Sequence, residues 1–296
     1  MDKIKTFYRS LNVTRQYQKQ YQHFKDLNTM DLSKLIEAHH VQSFCMIGAG
    51  NLEDFHIKPV FSLLSRVLLT DIDKKSVDDA VEKADVAHSN LQIKQVEYTG
   101  VQQTKLLDSF ELELSQRKSV IEVEQFINQM ITKLNKTSFL DDEKGKFDLV
   151  YISPIYTQLL FYPLTMVLDE MIRKGFSKAL GEQAKSSLLQ GMVAILSHFN
   201  QTIQSLIKNQ GLLVVLSDVF ELKHTDEMFQ TIEKNIDDFD KIERIYQDYV
   251  NSYGMGLGDY GLYDVSSHMK TVSSEWIVWP KNNSESYIVK RLVLSK

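Results

Sequence analysis

The chain has 296 residues, 43% of them hydrophobic, and carries a formal net charge of −5. That is enough apolar material for a sizeable core, as one large α/β domain with helical additions or as two smaller ones. The acidic balance argues against a general electrostatic footprint for nucleic acid and leaves only a local basic patch open. The single cysteine, Cys45, cannot build a disulfide framework and suits a reducing compartment. The opening MDKIKTFYRS has no apolar core of a signal peptide, and no apolar run approaches the ~20 residues of a membrane span. A cytoplasmic protein is expected.

Residues 1–40 read as a helical extension. Ile4, Tyr8 and Leu11, then Tyr17, Tyr21 and Phe24, recur at helical spacing, and Asp31 is placed to cap a second helix. Then the texture changes to short apolar runs that end in turn or acidic residues. These are Phe44–Ile47 before Gly48-Ala-Gly50, and Val67–Thr70 before Asp71-Ile-Asp73. Ile93–Tyr98 precedes Gly100, Phe147–Ile152 precedes Ser153-Pro154, and Gly211–Ser217 precedes Asp218. Helical stretches alternate with them: 76–87 with Asp73 as N-cap, 119–134, and 186–208. This alternation predicts βαβ units and a mainly parallel sheet. The segment 105–146 exceeds a simple crossover and reads as an insertion, and 159–185 as cover helices. Glu275–Trp279 and Tyr287–Leu294 read as a C-terminal hairpin.

The most informative stretch is Phe44 to Asp73. Glycines at 48 and 50 let the backbone turn sharply and approach a ligand. Asp71 lies about 20 residues further on, the spacing at which an acid meets ribose hydroxyls in dinucleotide-type folds. A dinucleotide needs a third glycine and an early helix N-terminus on its pyrophosphate. Here Leu52 or Glu53 stands in that position, and Pro59 is read as the first residue of a late helix. Glu53 and Asp54 are thereby left in the loop, where they would repel a pyrophosphate but suit an ammonium group.

These segments together resemble the class I S-adenosylmethionine-dependent methyltransferases. The resemblance runs through Phe44–Asn51, Leu69–Asp73, Val96–Gly100, Phe147–Ser153, Gly211–Asp218 and the Trp-rich hairpin. It implies a Rossmann-like seven-stranded sheet over 41–296, with S-adenosyl-L-methionine as cofactor. It places Gly48, Gly50 and Asn51 beneath the cofactor, Asp71 on its ribose and Ile72 on its adenine face. Glu97 would lie near the adenine amino group, and Ser153 would line the transfer site. The third glycine is missing, and Glu97 stands where aspartate is commoner.

Ser153-Pro154-Ile155-Tyr156 partly resembles the Pro-Pro motif of amino-group methyltransferases that act on nucleic-acid bases or glutamine side chains. It has isoleucine at the second proline. The same stretch resembles a Ser-x-x-x-x-Gln-Leu pattern of small methyltransferases. Gln158 then either offers donors and an acceptor to a substrate or faces water at a helix start. Tyr156, His198 and Asp218 are the candidates for acceptor binding or base chemistry. His198 has apolar neighbours, and a histidine on such a helix face is more often structural, though it could face the cofactor cleft. Tyr253 and Tyr260 belong to a glycine-rich segment, 251–268, read either as a substrate lid or as a surface loop with tyrosine anchors. No histidine has a partner at metal-ligand spacing. The expected acceptor is a small molecule rather than nucleic acid. An NAD-dependent oxidoreductase and a non-catalytic, cofactor-binding relative are the rival readings.

Overall fold

The computed structural model describes residues 19–86 and 89–296. The expected helix over the first eighteen residues, and His88, lie outside them. Seven strands form one sheet: β1 Ser43–Ile47, β2 Arg66–Asp71, β3 Leu91–Gln95, β4 Phe147–Ile152, β5 Ile207–Lys223, β6 Lys270–Pro280 and β7 Glu285–Ser295. Their spatial order is β3-β2-β1-β4-β5-β7-β6. The first five run parallel, while β7 pairs antiparallel with both β5 and β6. β1 and β4 are apolar on both faces because helices cover both sides of the sheet.

One face packs on α1 (Lys19–Ala38), the short α2 (Ile57–Phe61) and α3 (Lys74–Lys83). The other face carries α4 (Leu106–Ser115), α5 (Val120–Leu134), α6 (Phe161–Arg173) and the 29-residue α7 (Lys178–Leu206). A third cluster seats α8 (Glu227–Glu233) and α9 (Phe239–Tyr253) on Phe220, Trp276 and Ile288, beyond the parallel part of the sheet. Finally α10 (Leu257–Ser267) lies over the ends of β4 and β5.

Several boundaries differ from expectation, each for a visible reason. Asp31 caps no second helix: α1 runs through it, and its carboxylate pairs with Arg291, Nη2 to Oδ2 3.0 Å. Pro59 is the third residue of α2, whose N-cap is His56. Asp73 does occupy the N-cap of α3, but its carboxylate accepts the Ser76 hydroxyl (2.9 Å) rather than a backbone N–H. α7 begins at Lys178, where the Ser177 side chain accepts from Leu180 N. The segment 251–268 is mainly helical rather than a loop. Its glycines serve close packing: a Cβ at Gly258 would stand 2.5 Å from Ser217 Oγ, and one at Gly261 2.6 Å from the Tyr156 ring.

Candidate functional site

A cleft opens at the carboxyl ends of β1, β2 and β4, where open α/β sheets bind ligands. At its floor Gly48 and Gly50 both adopt positive φ (73° and 49°). Glycine takes that conformation without the cost a side chain would add. Gly48 N donates to Thr70 O (3.1 Å) and to the Tyr98 hydroxyl (3.0 Å), and this holds the turn against β2. Leu52 also sits at positive φ (54°), and its buried side chain anchors the loop in the core beside α1. The next helix starts only at Ile57, after Glu53 and Asp54.

Asp71 links the glycine turn after β1 to the turn after β2. Its Oδ2 accepts from Gly50 N at 2.9 Å and its Oδ1 from Asp73 N at 2.8 Å. A carboxylate has about four acceptor positions, so it can take hydroxyls alongside these two bonds. Burial pushes its pKa up from the ordinary 3.8, and the two backbone donors oppose that shift.

All nine cofactor candidates line this cleft or the compartment joined to it. Gly48, Gly50, Asn51, Glu53, Asp54, Asp71 and Ser153 surround the first part. Ile72 and Glu97 line the second, which shares Gly48, Asp71, Ile155 and Gln158 with the first. Ile155 divides the two: a Cβ at Gly48 would meet its Cγ2 at 2.4 Å. The missing glycine side chain thus makes room for Ile155. Glu97 is already engaged, its Oε1 accepting from Thr99 N (2.7 Å) and its Oε2 from Gln102 N (3.3 Å). Gln158 lines both compartments while donating to Pro154 O at 3.0 Å.

The catalytic and substrate candidates divide. Asp218 does line the cleft. It does not end β5, which continues to Lys223 because its outer half pairs with β7; only the parallel pairing with β4 stops, at Val215. Tyr156 is fully buried, and its hydroxyl donates to Asn200 Oδ1 at 2.8 Å, so it faces the core rather than the cleft. Burial also raises its pKa above the usual phenol value, so the hydroxyl stays protonated. His198 bonds Thr137 O at 2.6 Å and is not among the residues lining either compartment. Tyr253 is 79% exposed at the end of α9, and neither it nor Tyr260 is among the cleft's lining residues. Trp279 and Tyr287 do line it and were missed. Only the register of the hairpin brings them there.

The Glu53–Asp54 loop is held from behind by α1. Tyr21 hydroxyl donates to Glu53 O (3.0 Å), Lys25 Nζ to Leu52 O (3.5 Å) and Asn28 Nδ2 to Asp54 O (2.7 Å). Residues 21, 25 and 28 share one helix face. Asn28 Oδ1 in turn accepts from the buried Arg291 Nη1 at 2.9 Å. Asn28→Ala is expected to weaken cofactor affinity about tenfold through the loop, consistent with loss of a buried hydrogen bond worth ~1–3 kcal/mol. Calorimetric affinity compared with the unfolding midpoint checks this; equal affinity would show that α1 does not position the loop.

Strand order and the antiparallel seventh strand define the class I methyltransferase fold. No protein-family model matches the chain, and no curated protein does. Among solved structures, the chain is similar to the N-methyltransferase NodS from Bradyrhizobium japonicum WM9. That match has 10% identity and TM-score 0.43, covering 94% of this chain and 98% of that one. The same enzyme in complex with S-adenosyl-L-homocysteine matches at 8% identity and TM-score 0.42, over 93% and 87% of the two chains. An S-adenosylmethionine-dependent methyltransferase from Methanosarcina mazei matches at 8% identity and TM-score 0.43, over 88% and 96%.

Proposed function

We propose that the chain is an S-adenosylmethionine-dependent methyltransferase acting on a small-molecule acceptor. The observation that carries this reading is the bond from Gly50 N to Asp71, which fixes a ribose-type acceptor against a glycine turn in one cleft. Glu53 and Asp54, in the loop ahead of α2, suit the ammonium end of a methionine moiety and oppose a pyrophosphate. When bound, the sulfonium supplies an electrophilic methyl group and a good leaving group. The chain's own task is then to orient the acceptor and exclude water. Ser153 and Asp218, at the ends of the parallel pairing of β4 and β5, stand on the acceptor side. The carboxylates of the cleft oppose a phosphodiester acceptor. No helix among the described residues is long and apolar enough to cross a membrane.

Titration calorimetry with S-adenosyl-L-homocysteine beside NAD tests the reading. Binding of the first alone is the expected result. Preference for NAD would replace it with the oxidoreductase reading. Binding without transfer of labelled methyl to any acceptor in a lysate would favour the non-catalytic one.

A further inference from the structure

We infer that the methyl acceptor is a small organic amine, held as its ammonium ion between the Asp218 carboxylate and the rings of Trp279 and Tyr287. The inference rests on the methyl-transfer reading above and names its substrate class. Among the described residues the cleft is lined by four acidic residues, Glu53, Asp54, Asp71 and Asp218, and by no lysine, arginine or histidine. Lys25 lies behind the loop and lines the neighbouring groove instead. A cofactor placed as proposed uses Asp71 for its ribose and Glu53 with Asp54 for its ammonium. Asp218 stands on a different strand and serves neither end.

The sheet register sets its surroundings. Asp218 lies opposite Val289 on β7; Tyr287 is two residues along the same strand, and so on the same face. Trp279 lies directly opposite Tyr287 on β6. One carboxylate and two aromatic rings are therefore presented side by side from three neighbouring strands. Trp279 is buried and fixed in place by Phe24 of α1, whose ring stacks on it at 4.7 Å and 19°. The Tyr287 ring already attracts one ammonium, since Lys281 Nζ lies 5.6 Å from its centroid and is tied back to Glu221 and Glu285 outside the cleft. Ring faces and a carboxylate together favour an organic cation. A carboxylate or phosphate acceptor would meet repulsion from all four acids, and a neutral alcohol would gain neither attraction.

The chemistry balances without a further reactant. The bound ammonium gives up one proton, which leaves through Asp218 to water. The freed nitrogen lone pair forms the new bond to the methyl carbon as the carbon–sulfur bond breaks. That bond's electron pair stays on sulfur as a neutral thioether, and the positive charge passes to the methylated nitrogen.

The experiment is titration calorimetry on the full chain with 2-(dimethylamino)ethanol and with 3-methylbutan-1-ol, its neutral carbon isostere. Each is measured with and without saturating S-adenosyl-L-homocysteine. The expected result is at least tenfold tighter binding of the amine, with that preference collapsing in Asp218→Asn and weakening in Trp279→Leu. The unfolding midpoint of each variant is measured beside it, and the near-isosteric Asp218→Asn carries the conclusion if Trp279→Leu fails to fold. Equal binding of amine and alcohol, binding of neither, or a preference untouched by Asp218→Asn would overturn the inference. If the homocysteine compound fails to bind while the amine preference persists and depends on Asp218, the methyl-transfer reading falls and the ammonium subsite stands.

Discussion

Replacing Asp71 with alanine is expected to abolish measurable cofactor binding while leaving the chain folded. The carboxylate accepts from Gly50 N and Asp73 N, so its removal frees the glycine turn and deletes the proposed ribose acceptor in one step. Hydrogen bonds to a charged group contribute about 1.5–3 kcal/mol each, so two lost ribose contacts amount to at least a hundredfold in affinity. Stability should move far less. Burial raises the pKa of Asp71, so its ionised form is held in the folded chain at some cost that alanine removes. Asparagine should not rescue binding. Both Asp71 oxygens accept from backbone N–H groups, and an amide offers one acceptor where two are needed. The pH dependence has a defined sign. In the proposed complex ribose hydroxyls donate to the ionised carboxylate, so affinity is full above the raised folded value and falls as pH drops through it. The loss therefore begins above the ordinary 3.8. For folding itself the sign is opposite: a raised acid favours the folded state at low pH, and that advantage fades as pH rises through the folded value. Calorimetry from neutral to mildly acidic pH reads both effects; an Asp71→Ala variant with unaltered affinity would remove the basis for the cofactor reading.

The parts of this site that were legible from sequence are those written locally. A buried parallel strand is a short run such as Phe44–Ile47, and the turn that ends it needs glycine, so the floor of the cleft could be read residue by residue. Asp71 was legible because it closes the next such strand. What was hidden depends on register or on tertiary packing. Trp279 and Tyr287 reach the cleft only because β6 and β7 pair in one register, and a slip by one residue would turn both rings to the other face. The outer half of β5 was lost at Asp218, where a polar residue suggested an end. The Phe220–Lys223 alternation that follows was the available signal. Gly258 and Gly261 were read as loop because glycine is a poor helix former. Their close packing on Ser217 and Tyr156 outweighs that propensity. His198 drew attention for its chemistry, yet the polar residue of α7 that matters lies two positions on.

That residue is Asn200, and its loss should be the most damaging single truncation of a polar side chain near the site. It is wholly buried and satisfies three groups from two other elements. Its Oδ1 accepts the Tyr156 hydroxyl at 2.8 Å, and its Nδ2 donates to Gly261 O at 3.0 Å and to Asp264 Oδ2 at 2.9 Å. Alanine would leave those three groups without these bonds in a setting that water does not reach. Each buried group left unsatisfied costs about 1–3 kcal/mol, and shared relaxation reduces the sum, so a loss of about 3 kcal/mol is expected in urea unfolding. Asparagine to aspartate should be no gentler, since it keeps the acceptor for Tyr156 but sets a second carboxylate against Asp264. The consequence reaches the cleft because Tyr156 follows Pro154 and Ile155 in chain, and both line it. The same α10 that Asn200 holds by Gly261 presses Gly258 to within 3.0 Å, as measured from a Cβ placed there, of Asp218 O. Weaker ligand binding should therefore accompany the lost stability. An Asn200→Ala variant within about 0.5 kcal/mol of the parent chain would show instead that α10 docks on apolar contact alone.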